Sequence, residues 1–300
     1  PVTYEGGLYG LPLEVTNWSI YLNMDVFRSA GLDPLTDYPK TWEEMMDVAE
    51  KLTLRDGDII TRRGFDFRYP YYLNFVVPMA EQLGGQLISD DGKSAIVNDE
   101  AWLRVLEYFQ QWGPNGKNLG SPTYAAARKL FNYNNNDIGM MESGQYQAER
   151  IVFDNPTFLP GEGWMVVPFP QWEDAVADVA EPYYGHYWLV NAQATSEKQK
   201  AAWTFLGYLA DRADEFFERV AVLQPTQELV NSDLFKNSPY SDVFMSDLAK
   251  AKVVYYAEDA PRVQQVLKDA VEAVMLQGKA PADVLKTMRE GVERAIRGEY

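Results

Sequence analysis

Two adjacent stretches set the local structure near the start of the chain: YLNMDVFRSAGLDP at residues 21–34 and PKTWEEMMDVAEKLT at residues 39–53. In the first, Gly31 is the residue type that accepts the left-handed conformation after a helix, so a short helix is predicted over 24–30. In the second, Thr41 and Glu44 form a capping box, which predicts a helix over 41–53. The apolar face of that helix would be formed by Trp42, Met45, Met46 and Ala49.

Helices and short strands alternate along the rest of the chain. Apolar spacing predicts a helix from Asp99 to about Gly113, a helix capped by Ser196 and Gln199, and a C-terminal helical pair separated by Gly278–Pro281. The apolar face of the helix after Ser196 is expected to comprise Ala202, Phe205, Leu206 and Leu209. Short apolar runs predict strands at 138–141, 164–167 and 187–190, whereas 54–74 and 113–123 read as surface loops. The pattern indicates an α/β fold in which helices dominate.

Composition excludes several classes of function. The chain has 300 residues, 46% of them hydrophobic, which is enough for two domains or one large domain with an insertion. A formal net charge of −17 argues against nucleic acid as a partner. No stretch approaches the roughly 20 apolar residues of a membrane span. With no cysteine and a single histidine, His186, the chain offers neither a Cys-ligated nor a His-rich metal site, and no cofactor or metal is expected.

Three carboxylate pairs are candidates for the catalytic groups of a glycosidase, and an asparagine-rich run is a candidate for a calcium loop. The pairs lie on predicted helix faces or polar turns, so solvated surface is the favoured interpretation. The run has the wrong spacing for calcium and fits a turn before the strand at 138. These features are Glu43/Glu44, Asp90/Asp91, Glu173/Asp174 and Asn132–Asp137.

The aromatic residues point towards a binding site. The chain has eight Trp, 19 Tyr and 14 Phe, and several of them fall in predicted turns beside Asn, Gln or Glu. Aromatic rings suit the apolar faces of sugar rings, while amides and carboxylates bind the hydroxyls. Taken singly, each of these aromatic residues fits packing between domains as well as it fits contact with a ligand. As a set, they favour a neutral, hydroxylated ligand. The aromatic residues concerned are Trp18, Tyr69, Tyr71, Tyr72, Tyr146, Trp172, Tyr183 and Tyr184.

The two opening stretches, together with Gly-Leu-Pro at 10–12, resemble the signature of the extracellular solute-binding proteins of family 1. These are the sugar-binding subunits of ABC importers, and maltose-binding protein is a member. Weaker motifs follow in the order of that family over essentially the whole chain. They are Gly84–Gly85, Asp91–Lys93, Gly139–Tyr146, Pro168–Pro170, Ala201–Leu206, Gln224–Thr226 and Gly278–Pro281.

The resemblance implies an α/β, two-lobed periplasmic-binding-protein-like fold of type II, with ligand in a cleft that closes by hinge bending. Residues 1–12 and 155–226 would belong to the first lobe, and residues 13–154 and 227–300 to the second. Family members carry a further segment before the Gly-Leu-Pro block, and this chain begins at Pro1 without Met. We therefore expect the opening strands and helices of the first lobe to be absent from this chain, and its ligand affinity to be reduced.

The resemblance also implies a set of ligand-binding positions. Tyr146 matches an aromatic that stacks on a sugar ring in relatives, and Gln224 lies where relatives often have Pro-x-Arg, which argues against an anionic ligand. The lone His186 fits a packed structural role equally well. The full set is Glu14, Thr16, Trp18, Tyr72, Asn74, Tyr146, Tyr184, Gly185, His186 and Gln224.

The expected function is therefore that of a non-catalytic, monomeric subunit that captures a mono- or oligosaccharide and delivers it to the membrane permease of an ABC importer. Its expected location is periplasmic or extracellular, with soluble and lipid-anchored forms both open. The alternative is a carbohydrate-processing, glycoside hydrolase-like enzyme with a buried carboxylate pair. Turnover of a sugar would distinguish the alternative from the binding protein.

Overall fold

The computed structural model of the chain describes residues 2–67, 73–119 and 127–299. The strands within these ranges are β1 (Thr3–Tyr4), β2 (Gly7–Leu8), β3 (Gly10–Pro12), β4 (Trp18–Asn23), β5 (Leu54–Asp56), β6 (Ile59–Asp66), β7 (Ile138–Gly144), β8 (Trp164–Val167) and β9 (Tyr187–Leu189). The helices are α1 (Met24–Ser29), α2 (Trp42–Leu52), α3 (Leu73–Gln82), α4 (Asp99–Trp112), α5 (Ala127–Tyr133), α6 (Gln147–Asp154), α7 (Ser196–Ala210), α8 (Ala213–Val220), α9 (Gln227–Asn231), α10 (Asp233–Lys236), α11 (Ser241–Lys250), α12 (Ala260–Met275) and α13 (Pro281–Arg297).

The main body is built on a five-stranded sheet with the order β5-β6-β7-β4-β8. β4 runs antiparallel to both of its neighbours, whereas β6 and β7 are parallel. Every residue of β4 and β7 is buried, as expected of strands covered on both faces. One hydrophobic cluster joins this sheet to α2, α3, α4, α12 and α13, with Trp42, Trp102 and Trp112 fully buried inside it.

Most of the predicted elements are confirmed. The capping box is present, with the Thr41 side chain accepting from the Glu44 backbone N–H and the Glu44 carboxylate accepting from the Thr41 N–H. Gly31 follows α1 with a φ of +78°. α4, the α12/α13 pair and the strands β7, β8 and β9 lie where the sequence places them.

The prediction of a surface loop over 54–74 is wrong for most of its length, because β5 and β6 form a hairpin there. Gly57 occupies its turn with a φ of +57°. Arg62 and Arg63 interrupt the alternation of apolar and polar residues that would have predicted a strand. The structure accommodates the charge of Arg62, because its Nε donates to the carbonyl of Leu52 at 2.7 Å. Of the other predicted loop, residues 113–119 are described and irregular.

The start and the apolar face of α7 also differ from prediction. The N-cap is Thr195, whose hydroxyl accepts from the backbone N–H of Lys198, rather than Ser196. Gln199 instead donates to the carbonyls of Ala192 and Ala194. Of the expected apolar face only Leu206 is buried, and Phe205 is 59% exposed because no described element covers it.

A smaller body surrounds the antiparallel pair of β3 and β9, in which Gly10 faces Leu189. The ring of Trp188 in β9 contacts Phe216 in α8. The smaller body exposes several large apolar side chains: Leu8, Tyr9, Leu189, Phe205 and Tyr208.

The chain passes between the two bodies at three neighbouring segments, 13–16, 184–186 and 222–224. Thr16 and Tyr184 exchange two backbone hydrogen bonds of 2.9 Å. The N–H of Val15 donates to the carbonyl of Leu223 at 3.0 Å, and the N–H of Leu13 donates to that of His186 at 2.8 Å. The junction is therefore a narrow ribbon of three hydrogen-bonded segments.

The position of β8 differs from the expected division of the chain into lobes. β8 lies after residue 155, the expected point of return to the first lobe, yet it pairs with β4 in the main sheet. The main body thus includes the chain up to at least Val167, and the crossing at Tyr184 is the next contact with the smaller body.

Among the helices of the described ranges, none has both the length and the apolar character that a membrane crossing requires.

Candidate ligand-binding cleft

A cavity of about 920 Å³ opens beside the three crossing segments. Its volume lies at the upper end of the range typical of small-molecule sites. It is lined by residues from the main body, the crossings and α8. Six of the predicted site residues line it together: Glu14, Trp18, Asn74, Tyr146, Tyr184 and His186.

Three aromatic side chains form the inner end of the cleft. Trp18 Nε1 donates a hydrogen bond of 2.9 Å to the hydroxyl of Tyr184, and the two rings meet edge to face with centroids 5.9 Å apart. The Tyr184 hydroxyl also shares a hydrogen bond with Tyr146. Burial, reinforced by the neighbouring Tyr146, raises the pKa of Tyr184 far above its usual value, so its hydroxyl keeps its proton.

Local structure explains why these rings meet. Trp18 begins β4 and pairs with Gly144, the last residue of β7, after which the chain turns into α6 at Tyr146. A Cβ at Gly144 would lie 2.6 Å from the ring of Tyr146 and 3.1 Å from that of Trp18. Glycine at this position therefore permits both rings to face the cleft.

Glu14 and His186 form a polar pair on two of the crossing segments. His186 donates its Nδ1–H to the buried Glu14 carboxylate, while most of the imidazole remains exposed. Gly185 lies on the crossing segment 184–186, where a Cβ would come within 2.4 Å of the Glu14 carbonyl oxygen. Gly185 therefore permits the close approach of two backbones, and the pair presents a carboxylate and an imidazole to the cleft.

The remaining predicted residues lie elsewhere. Thr16 is buried beneath the cleft and lines a second, very small cavity beside Asn17 and Gln145. Gln224 is also buried outside the cleft, and its side-chain amide has no hydrogen-bond partner among the described residues. Tyr72, with Tyr69 and Tyr71, lies outside the described residues.

One face of α6 lines the cleft and was not predicted from the sequence. Arg150 lies over the Tyr146 ring, 4.7 Å from its centroid, and the opposite face of the helix buries Gln147, Ala148 and Ile151. The spacing 146, 149, 150, 153, 154 is one helical stripe and was the available signal. The other cleft residues missed include Arg128, Glu149, Phe153, Asp154 and Arg219. The cleft therefore holds three arginines, although the sequence pattern argued against an anionic ligand.

Four of the candidate catalytic carboxylates make structural contacts outside the cleft. Glu44 caps α2, and Arg104 forms ion pairs with Glu43 at 2.8 Å and Asp174 at 2.6 Å. Asp91 accepts from the Ser89 hydroxyl within a turn. Within the described ranges, no cluster of His, Asp or Glu is arranged to hold a metal ion.

The asparagine-rich run forms the turn before β7, as predicted. Asn134 and Asn136 both have positive φ there, at 53° and 62°. Asparagine tolerates this left-handed conformation better than most other residues. The run is thus accounted for by the turn that leads into the strand.

The family model described as bacterial extracellular solute-binding protein matches residues 1–240. The chain belongs to this family. Membership of the solute-binding proteins confirms the resemblance drawn from the opening motifs, and it identifies the class as binding proteins for extracellular solutes.

Relatives of this solute-binding protein are distant in sequence. A Brucella abortus (strain 2308) protein named as a binding protein is 22% identical over 297 residues, which cover 95% of this chain and 67% of the relative. An ABC transporter solute-binding protein from Thermotoga lettingae TMO, bound with alpha-D-tagatose, superposes with a TM-score of 0.81 at 21% identity, covering 98% of this chain and 74% of that one.

The maltose/maltodextrin-binding domain MalE from Bdellovibrio bacteriovorus, bound to maltotriose, gives a TM-score of 0.79 at 20% identity, covering 98% of this chain and 74% of that one. These similarities confirm the predicted fold class, the two-lobed fold of the solute-binding proteins. The chain spans between two thirds and three quarters of the length of these relatives.

Proposed function

We propose that this solute-binding protein captures a carbohydrate in the cleft and delivers it to the membrane permease of an ABC importer. The observation that carries the proposal is the cluster of Trp18, Tyr146 and Tyr184 at the inner end of the cleft. Aromatic faces beside a carboxylate, an imidazole and an amide provide what a sugar needs, an apolar wall and hydrogen-bonding groups for its hydroxyls. Tagatose and maltotriose in two proteins of similar fold support the same ligand class.

In this proposal the two bodies are the two lobes, and closure occurs by bending at the three crossings. The first lobe comprises residues 1–12 and the chain from Tyr184 to Leu223. This return point is later than the expected residue 155, because β8 pairs within the main sheet. Glu14, Trp18, Asn74, Tyr146, Tyr184 and His186 contact the ligand, whereas Thr16, Gly185 and Gln224 support the junction.

The protein works as a monomer in the periplasm or at the cell surface, in a soluble or lipid-anchored form, and it does not transform its ligand. The structural contacts of Glu43, Glu44, Asp91 and Asp174, all outside the cleft, argue against these carboxylates as a catalytic pair. The permease recognises the closed form.

Thermal melting against a panel of saccharides tests the proposal. A ligand at 100 times its Kd stabilises the protein by about 2.7 kcal/mol, which raises the Tm by several degrees. Tyr146→Ala is expected to abolish this shift. Tyr208→Ala, at an exposed tyrosine of α7 outside the cleft, is the matched control and should retain the shift. Chromatography of the saccharide after incubation should show it unchanged; conversion to a product would favour the enzyme.

A further inference from the structure

Helix α6 connects the inner end of the cleft with its outer rim. Its cleft-facing residues begin at Tyr146, within the aromatic cluster, and continue through Arg150 to Phe153. Seven residues of helix advance about 10 Å along the axis. The backbone positions of Tyr146 and Phe153 are thus separated along the cleft wall by more than the width of a single sugar ring.

Phe153 is a large apolar residue whose side chain is almost entirely exposed. Its side chain is 89% exposed, more than any other large apolar side chain in the described ranges. The buried face of α6 is formed by Gln147, Ala148 and Ile151, so Phe153 contributes little to packing. It nevertheless lines the cleft, as does Val220, which is also exposed, at the end of α8. Together they make an apolar area at the outer rim.

Arg150 lies between the two rings. It is four residues beyond Tyr146 and three before Phe153 on the same stripe of the helix, and its guanidinium lies 4.7 Å from the Tyr146 centroid. A guanidinium carries five N–H donors. Because Arg150 lines the cleft between the positions of the two aromatic rings, it offers hydrogen-bond donors to a hydroxylated ligand there.

We infer that Phe153 is the platform of a second, outer subsite, so that the cleft binds a saccharide of at least two rings. The first ring lies on the Tyr146 cluster, the linkage passes Arg150, and the second ring lies against Phe153. The cavity of about 920 Å³ has room for such a ligand. The inference rests on the proposed carbohydrate function and adds the length of the ligand to it.

The test is isothermal titration calorimetry with mono-, di- and trisaccharides of glucose, mannose, galactose and xylose. The wild type is expected to bind a disaccharide or trisaccharide more tightly than the matching monosaccharide. Phe153→Ala should weaken binding of the longer ligand by about tenfold, the value of one desolvated aromatic contact, and leave the monosaccharide unaffected. Phe153→Trp, which keeps an aromatic platform, should retain the preference.

Val152→Ala is the matched control, because Val152 is the exposed neighbour on α6 and does not line the cleft. Binding that does not depend on length, or a Phe153→Ala effect that is equal for all lengths, overturns the outer subsite while the carbohydrate function stands. An absence of binding to every saccharide overturns both. The melting curves of the variants are expected to match that of the wild type, because the exposed Phe153 side chain contributes little to folding. Matching curves show that a loss of affinity in Phe153→Ala is not caused by unfolding.

Discussion

The indole of Trp18 donates a 2.9 Å hydrogen bond to the hydroxyl of Tyr184, although 166 positions separate the two residues in the chain. Trp18 begins the central strand β4, and Tyr184 lies on a segment that crosses between the two bodies. The bond therefore ties the main sheet to the junction and fixes two rings of the cleft with respect to each other. An alteration at either end should be detectable in both stability and binding.

Tyr184→Phe removes the acceptor for Trp18 and keeps the ring. The free energy of unfolding is expected to fall by about 1 kcal/mol, and saccharide affinity should fall as well. Urea denaturation and calorimetry measure the two effects. In a double-mutant cycle with Trp18→Phe, the two losses should be less than additive. Fully additive losses would mean that the bond contributes nothing.

Two buried glutamines make a matched pair. Gln224 is buried with no described partner for its amide, whereas Gln82 accepts from Trp42 Nε1 and donates to the carbonyls of Pro170 and Val179. Replacing each by Met keeps the approximate shape. Gln82→Met should cost about 2–4 kcal/mol of unfolding free energy, because it removes the partner of the buried Trp42 Nε1–H and of the Pro170 carbonyl, whereas the Val179 carbonyl keeps its bond from Gln171. Gln224→Met should be neutral or stabilising; a loss equal to that of Gln82→Met would show that its amide is paired.

Asp247 gives the protein a definite pH dependence. Burial raises the pKa of its carboxyl above the ordinary value of 3.8, against the opposing effect of hydrogen bonds from the Phe169 N–H and the Ser19 hydroxyl. The folded chain therefore holds this proton more tightly than the unfolded chain does. The contribution of Asp247 to the free energy of unfolding falls as the pH rises from 3.8 through the raised pKa.

Both hydrogen bonds to Asp247 end on the same oxygen, so Asp247→Asn can keep them while removing the charge. Nearby Lys250 and Asp178 affect the carboxyl in opposite directions. Relative to the wild type, Asp247→Asn should gain stability between pH 4 and pH 7 in denaturant titrations. A difference that stays constant over this range would contradict the raised pKa. Ser19→Ala, which removes one bond and leaves the carboxyl, serves as the control.

Two glycines should respond in opposite ways to the same substitution. Gly113 ends α4 directly against α12, where a Cβ would lie 1.8 Å from the carbonyl oxygen of Met275. Gly113→Ala must separate the helices and should cost at least about 2 kcal/mol of unfolding free energy. Gly207 lies within α7, and a Cβ there meets nothing within 4 Å. Gly207→Ala should stabilise by about 0.5–1 kcal/mol. Similar Tm values for both variants would contradict the packing of α4 on α12.

The sequence allowed the fold to be predicted where the signals are local. The capping box of α2 depends on residues three apart, and Gly31 ends α1 through its own backbone conformation. The β5–β6 hairpin could not be recognised in this way, because Arg62 and Arg63 interrupt its apolar pattern. Arg62 donates to the carbonyl of Leu52, which the fold brings near from α2, and Arg63 forms an ion pair with Asp66 of the same strand.

The site could be predicted in part, for a related reason. Trp18, Tyr146 and Tyr184 follow from the family resemblance, and they do line one cleft. The helical spacing of 146, 149, 150, 153 and 154 places these residues on one stripe of α6, but it does not show what the stripe meets, because a charged helix face has the same pattern whether it meets solvent or a ligand. Gln224 shows the reverse: its position suggested a ligand contact, but the fold buries the side chain behind the cleft.

The ribbon of three crossings has a consequence for how this protein can change. In the proposed closure, bending would be confined to the three short segments around Val15, Gly185 and Leu223, which are joined by backbone hydrogen bonds, whereas Phe153 lies on α6. Apparent affinity scales with the fraction of molecules already in the closed shape. Substitutions at ribbon residues that do not line the cleft, such as Val15 and Leu223, are therefore expected to change capture of every solute alike, whereas substitutions at the cleft residues of α6 are expected to change which solute is preferred. Selection can adjust the strength and the choice of ligand independently.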